Sequence, residues 1–332
     1  MDKRDTLLAL FALGAAVQGW SIVARAQVKV GTMPRVGVLW HDASAEAEGP
    51  YFRGLLEGFK NLGYIDGRNI ILEHRFPNEV PERFASMAAE LVSAKVDVLV
   101  GVGASSSQYV KSATATIPIV FMYVPDPVGS KLVASLGRPG GNATGLTNSG
   151  VELTTKRLQF LKEAIPRLSR VAMFVNPNAA ITRLFIDEAQ VAAAKFGFTV
   201  QVFEARSLDE FERAFDAMAR TRMQALVING EGLFFQGRAT IARLALARRL
   251  PTCVWSREVL EAGTLMSYGP DQVEISRRVA VVVDKILKGV KPADIPVEQP
   301  TRYEFLVNAK TAQALGIAIP QTLLLRADEI IK

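Results

Sequence analysis

What most constrains the fold of this chain is an order of apolar segments that occurs twice. Arg35 to Trp40 is a short apolar run that predicts a buried strand. Phe52, Leu55, Leu56, Phe59 and Leu62 then recur at i, i+3, i+4, i+7 and i+10, the stripe of an amphipathic helix, which Gly63 ends. A strand over Asn69–Arg75 leads to a helix opened by Pro81, with Phe84, Met87, Ala88, Leu91 and Val92 on one face. Val98–Val102 and Ile117–Tyr123 read as further strands. The same order returns when Arg170-Val171-Ala172-Met173-Phe174 echoes Arg35-Val36-Gly37-Val38-Leu39. Phe196-Gly197-Phe198 echoes Leu62-Gly63-Tyr64, and Gln224 to Ile228 stands where Val96 to Val100 stood. Strands alternating with helices predict parallel sheets covered by helices, here two alike α/β lobes.

A length of 332 residues suits two domains. Breaks at Arg138-Pro139-Gly140-Gly141, at Tyr268-Gly269-Pro270 and over Lys288–Pro300 suggest that the chain passes between lobes more than once, leaving a cleft with a hinge of several strands. The expected division is a leader of 1–26, a first lobe of 34–146 with 270–297, and a second of 147–269 with 298–332. With 49% hydrophobic and 22% charged residues the chain can bury a sizeable core. A single cysteine, Cys253, and only two histidines, His41 and His74, exclude an internal disulfide and a structural zinc site, and no cofactor or metal is expected. His74, inside Glu73-His74-Arg75, reads as a surface residue. Of the formal charge of +6, Lys3, Arg4 and Arg25 against Asp2 and Asp5 contribute +1, leaving +5 spread among acids. That distribution points to a solvated surface rather than a nucleic-acid partner.

The first residues read as an export signal: Lys3 and Arg4, an apolar run from Leu7 to Val17, then Ala24-Arg25-Ala26 before Gln27. The run falls short of the roughly 20 apolar residues that span a bilayer, and no cysteine adjoins the cleavage site to take a lipid. A mature chain starting near Gln27 and soluble in the periplasm is expected, with the Sec or Tat route left open because the basic pair is not Arg-Arg.

In open parallel sheets ligands sit beyond the carboxyl ends of the strands, which selects the candidates. The first lobe offers Trp40-His41, Gly103-Ala104-Ser105-Ser106-Ser107 and Pro125-Asp126-Pro127; the second offers Asn176-Pro177-Asn178, Asn229-Gly230-Glu231-Gly232 and Trp255-Ser256. Gly103 to Ser106 would open a helix with free N–H groups and small hydroxyls, suited to an anion; the plain alternative is an N-cap by Ser105 or Ser106. Asp126 and Glu231, from opposite lobes, suit an ammonium, and Trp40 and Tyr268 offer aromatic faces. Equally, Asp126 can shape a turn, Trp40 can be core and Glu231 can face solvent. Gly101-Val102-Gly103 lacks the third glycine of a dinucleotide fingerprint, Ser106 standing there. Ser105, His41 and Asp126 form the one hydrolase-like set, without a Gly-x-Ser-x-Gly elbow and in the wrong chain order for it.

Longer blocks carry more. Phe52-Arg53 to Gly63-Tyr64, Gly67-Arg68-Asn69-Ile70, Lys95-Val96-Asp97-Val98, Ile117-Pro118-Ile119-Val120-Phe121, Asp126-Pro127-Val128-Gly129, Arg138-Pro139-Gly140-Gly141-Asn142-Ala143-Thr144-Gly145-Leu146, Met266-Ser267-Tyr268-Gly269 and Pro296-Val297-Glu298-Gln299-Pro300-Thr301 resemble a large family of bacterial ABC-transporter substrate-binding proteins, some of which bind tryptophan. The resemblance runs in order over nearly all of the mature chain. It implies the type I periplasmic binding protein fold: two Rossmann-like lobes, a three-strand hinge and a ligand closed between them. It also implies capture of a small molecule, an amino acid among the candidates, by a monomer that hands it to an ABC permease and performs no chemistry. The segment matching Gly103–Ser106 lies at the cleft in such proteins and can hold a carboxylate. Where many members have an aspartate this chain has Asn229-Gly230-Glu231, a departure that bears on the amine contact. The expected ligand contacts are therefore Trp40, Gly103, Ala104, Ser105, Ser106, Asp126, Asn176, Glu231 and Tyr268. A secreted α/β hydrolase-type enzyme is the alternative; a sensing repressor would need a DNA-binding segment where the leader stands.

Overall fold

The computed structural model describes residues 33–332, so the expected leader lies outside the described residues. The first sheet is built from β1 (Arg35–Leu39), β2 (Ile71–Arg75), β3 (Val98–Val102), β4 (Ile119–Val124) and β5 (Ala143–Thr147), interspersed with helices α1 (Ala45–Glu48), α2 (Pro50–Asn61), α3 (Pro81–Ser93) and α4 (Gly103–Ala113). Its strand order is β2-β1-β3-β4-β5 and every pair is parallel. Val36 of β1 lies opposite Leu72 on one side and Val98 on the other. β3 and β4 are buried along their whole length, as expected for central strands covered on both faces. Alternate residues feed opposite cores: Val36, Val38, Val98 and Val100 pack with Leu55 and Phe59 of α2, while Leu39 and Leu99 pack with Phe84 and Leu91 of α3. Gly63 follows α2 at φ +84°, the left-handed position at which helices commonly stop.

The second half continues through α5 (Leu153–Ala164), β6 (Arg170–Val175), α6 (Thr182–Phe196), β7 (Thr199–Glu204), α7 (Phe211–Arg220), β8 (Ala225–Ile228), α8 (Gly232–Gln236), α9 (Arg238–Ala247), β9 (Thr252–Val254), α10 (Arg257–Glu261) and β10 (Met266–Gly269). After it come α11 (Gln272–Leu287), β11 (Glu304–Asn308), α12 (Ala309–Leu315), α13 (Gln321–Leu324) and β12 (Glu329–Ile331). The second sheet runs β12-β11-β10-β9-β8-β6-β7, parallel except where β10 meets β11. Phe174, Phe211, Phe215 and Phe234 fill one of its faces; Leu158, Leu161, Met173 and Phe185 fill the other.

The chain crosses between the sheets between β5 and α5, between β10 and α11, and between α11 and β11. α11 therefore follows a strand of the second sheet yet packs on α2 and β4 of the first, its N-terminus capped by Asp271, which accepts from Glu274 N at 3.0 Å. The α2–α11 approach is close because α2 presents Gly54 and Gly58; a Cβ at Gly58 would overlap the Arg277 backbone. On the last crossing Glu298 donates to Gly145 O at 2.9 Å and accepts from Thr147 N at 3.0 Å, extending the first sheet by one bridge. Two crossing-linked lobes thus face each other with their strand ends toward a shared cleft. No helix among the described residues is long and apolar enough to cross a membrane.

Candidate functional site

The cleft holds about 600 Å³ of empty space including its open mouth. One wall comes from the first lobe: His41 after β1, Tyr51 in α2, Glu79 in the loop after β2, Val102 to Ser105 at the β3–α4 junction, and Tyr123 of β4. The facing wall is Ala179 and Ile181 after β6, Gly230 to Gly232 after β8, Phe235 of α8 and Trp255 after β9. Asn148, on the first crossing, and Gln272, the first residue of α11, complete the lining.

α4 begins with Gly103 directly after β3, and Val102 caps it without a side-chain hydrogen bond. The first-turn N–H groups of Gly103, Ala104 and Ser105 have no intrahelical acceptor, and together with the helix dipole they favour an anion there. Neither Ser105 nor Ser106 is an N-cap, because both lie inside the helix. Ser106 is fully buried and donates to Trp40 O at 2.7 Å; Ser107 donates to Gly101 O at 3.1 Å and to Gly103 O at 2.6 Å. Only Ser105 of the three turns into the cleft.

Acidic groups dominate the rest. Glu48 of α1 is fully buried and accepts from His41 N at 3.0 Å and Asp42 N at 2.9 Å. The His41 ring lies between two carboxylates, Nε2 3.3 Å from Glu48 Oε2 and Nδ1 3.3 Å from Glu79 Oε1. Burial alone would lower its pKa, but Glu48, Glu79 and Asp42 outweigh it and raise it to about 9, so the ring is an imidazolium at neutral pH. Glu79 sits in a turn held at positive φ, with Asn78 at +58° and Glu79 at +53°. Glu79 N donates to His41 O at 2.9 Å, which helps offset the strain of that turn. Glu231 caps α8, accepting from Leu233 N at 3.0 Å, and accepts from Asn176 Nδ2 at 3.1 Å. Burial and then the nearby Glu79 carboxylate push its pKa up to about 8, against Asn176 and His41. Gln272 Oε1 is a buried acceptor without a hydrogen-bond partner.

The lobes are in contact across this cleft. Tyr51 Oη donates to Glu258 Oε2 of α10 at 2.7 Å, and its ring lies 5.0 Å from that of Phe235. Gln236 Nε2 donates to Asn78 Oδ1 at 2.6 Å and Asp42 Oδ1 at 3.1 Å. Tyr123, at φ +62°, occupies a bulge between β4 and β5 and donates to Gln272 O at 2.7 Å.

Of the sequence candidates, Gly103, Ala104, Ser105 and Glu231 meet in the cleft. The strand-end residues His41, Gly230, Gly232 and Trp255 line it too, whereas the other five expected contacts do not. Trp40 is fully buried, stacked on Phe76 at 6.1 Å, with Nε1 donating to His74 Nδ1 at 3.0 Å. His74 is half-buried rather than a fully exposed surface residue: burial first and then Arg75 lower its pKa to about 4, against Asp66, leaving it a neutral acceptor. Asp126 is consumed by its own turn, accepting from Val128 N at 3.1 Å and Gly129 N at 2.8 Å. Asn176 stands behind Glu231 in a small adjoining pocket. Tyr268 packs edge-on to Phe160 at 5.2 Å, its carbonyl taken by Arg157 Nε at 2.9 Å. The hydrolase-like set also dissolves, since Asp126 does not orient His41 and a charged imidazole is no base. Glu79 escaped the sequence reading, although the strand-end rule applied to β2 leads straight to Pro77-Asn78-Glu79. Tyr51 precedes the α2 stripe by one residue, and Phe235 follows Glu231 by one helical turn.

A family model described as ABC transporter substrate binding protein matches residues 37–331. The tyrosine-binding protein of Clostridioides difficile (strain R20291) is 25% identical over 266 residues, 80% of this chain and 76% of that protein. A conserved domain protein from Vibrio cholerae has a crystal structure with 28% identity and a TM-score of 0.85, covering 90% of this chain and all of that one. An ABC domain from Streptococcus pneumoniae, crystallised with L-Trp, gives 26% identity and a TM-score of 0.81 over 89% of this chain and all of that one. The two sheets and the three crossings are those of a type I periplasmic binding protein.

Proposed function

The chain belongs to the ABC transporter substrate-binding proteins, which bind ligands rather than transform them, and on that premise we propose that it captures an α-amino acid with an apolar or aromatic side chain between its lobes. One observation carries this reading: the free N–H groups of the α4 N-terminus on the first lobe stand across the cleft from the buried Glu231 carboxylate of the second. The α4 N-terminus with Ser105 suits a carboxylate, and Glu231 with Glu79 and Gln272 Oε1 suits an ammonium. Between them, Val102, Ala179, Ile181, Phe235 and Trp255 offer an apolar lining. The tyrosine-binding and tryptophan-bound relatives support the same class of ligand. Trp40, Ser106, Asp126, Asn176 and Tyr268 support the site from behind or stand apart from it.

The protein would act as a monomer outside the cytoplasmic membrane, close its lobes on the ligand and deliver it to an ABC permease for import. The leader expected at 1–26 supports that location, and the Tyr51–Glu258 and Gln236–Asn78 bonds are the kind that only closed lobes can make. Native mass spectrometry of protein purified from the periplasm without added ligand tests the reading. A bound mass equal to an amino acid, lost on denaturation, is expected. A sugar or polyol mass, or no binding of any amino acid in calorimetry, would overturn it.

A further inference from the structure

Charges at the meeting point of the lobes do not balance. Within the first lobe, one imidazolium, His41, already serves two carboxylates, Glu48 and Glu79. Closure adds a third from the second lobe, because Gly232, next to Glu231, packs so tightly on Glu79 that a Cβ there would overlap Glu79 Oε1. Glu79 Oε1 and His41 Nδ1 are buried and meet each other at 3.3 Å. The other groups facing this point bring no cation. Asp42, on the β1–α1 loop, is bonded to Gln236. Tyr51 of α2 and Tyr123 of β4 are kept neutral by burial. Glu258 of α10 is taken by Tyr51, β6 supplies the Asn176 amide, and α4 brings only its uncharged first turn. Among the described residues no lysine or arginine lines the cleft, and no cluster of His, Cys, Asp or Glu is arranged to hold a metal ion.

We propose that closing the lobes joins Glu79 and Glu231 into a pair that must take up one positive charge, the ammonium of a captured ligand or, in its absence, a proton, so that empty closure is proton-driven and liganded closure is not. The ammonium half rests on the function proposed above; the proton half rests on the cluster alone. Two carboxylates in a dry site cannot both stay ionised without a counter-charge, since desolvation and mutual repulsion act together. Closed and empty, Glu231 stands at about 8, and opening the cleft hydrates it and moves it toward the ordinary value of 4.5. The closed form therefore binds the extra proton. Empty closure strengthens by up to about tenfold per pH unit as pH falls from about 8 toward about 4.5, and is lost as pH rises through about 8. A zwitterion brings its own cation, and the dependence disappears.

Small-angle scattering of the ligand-stripped protein between about pH 6 and about pH 8.5 reads this directly. A smaller radius at the lower pH is expected in the wild type, with the response absent from Glu231→Gln and reduced in Glu79→Gln; circular dichroism confirms that each variant is folded. With saturating L-tryptophan or L-tyrosine the wild type is expected to be compact at both pH values. A radius independent of pH in the empty wild type, or an undiminished response in both variants, would overturn the proposal. Failure of either amino acid to compact the protein while the empty protein still responds to pH counts against the amino-acid reading and leaves the proton half standing.

Discussion

Replacing Gly58 with alanine tests whether the α2–α11 contact is set by backbone proximity. Gly58 lies mid-helix, where alanine is intrinsically favoured by about 1 kcal/mol, so propensity alone predicts a gain. Against it, the new Cβ would overlap the carbonyl oxygen, carbonyl carbon and Cα of Arg277. These are backbone atoms of a 16-residue helix and cannot swing aside as a side chain would. Overpacking of that kind costs typically about 1–3 kcal/mol, more where nothing yields, so packing outweighs propensity. A net loss of about 1–2 kcal/mol follows, read as a lower urea midpoint at unchanged slope. Gly137→Ala is the control, since a Cβ there meets nothing within 4 Å and its φ is not positive. A Gly58→Ala protein as stable as the wild type would mean that backbone proximity does not set the α2–α11 contact.

His41 gives a pH prediction. Its pKa rises on folding from 6.5 to about 9, so its stabilisation is complete below about pH 6.5 and is lost as pH rises through about 9. Linkage makes that on the order of 3 kcal/mol. Urea unfolding of His41→Gln across this window should lack that slope, and an unchanged slope would place the shift elsewhere. The two serines should separate stability from binding. Ser106→Ala removes the buried donor to Trp40 O and should cost about 1–3 kcal/mol in unfolding free energy with little change in affinity. Ser105→Ala should stay within about 0.5 kcal/mol in stability yet weaken binding several-fold; equal effects in both assays would contradict this division.

The lobes were legible because a parallel sheet covered on both faces demands runs such as Val98–Val102 and helical stripes such as Phe84–Leu91, and both are patterns of single residues in order. The strand-end rule likewise found α4 and Glu231. What the sequence hid depends on pairs far apart in it. Trp40 reads as a strand-end aromatic, but its buried indole N–H needs an acceptor, and half-buried His74, 34 residues on, provides one by staying neutral. Asp126 reads equally as a ligand carboxylate or a turn former, and only the bonds to Val128 N and Gly129 N decide. Glu79 joins the site through a turn at positive φ pinned to His41 O, which no local pattern announces.

In the proposed binding mode the cleft reads both ends of an α-amino acid. Calorimetry at neutral pH on the amino acid found bound, its decarboxylated amine and its deaminated acid tests it most directly. A hydrogen bond to a charged group is worth about 1.5–3 kcal/mol, so each truncation should weaken binding by at least about tenfold. The amine should lose its hold on the α4 N-terminus and the acid its hold on Glu231. If either truncated molecule binds as tightly as the amino acid, the end it lacks is not recognised and the cleft does not read both ends.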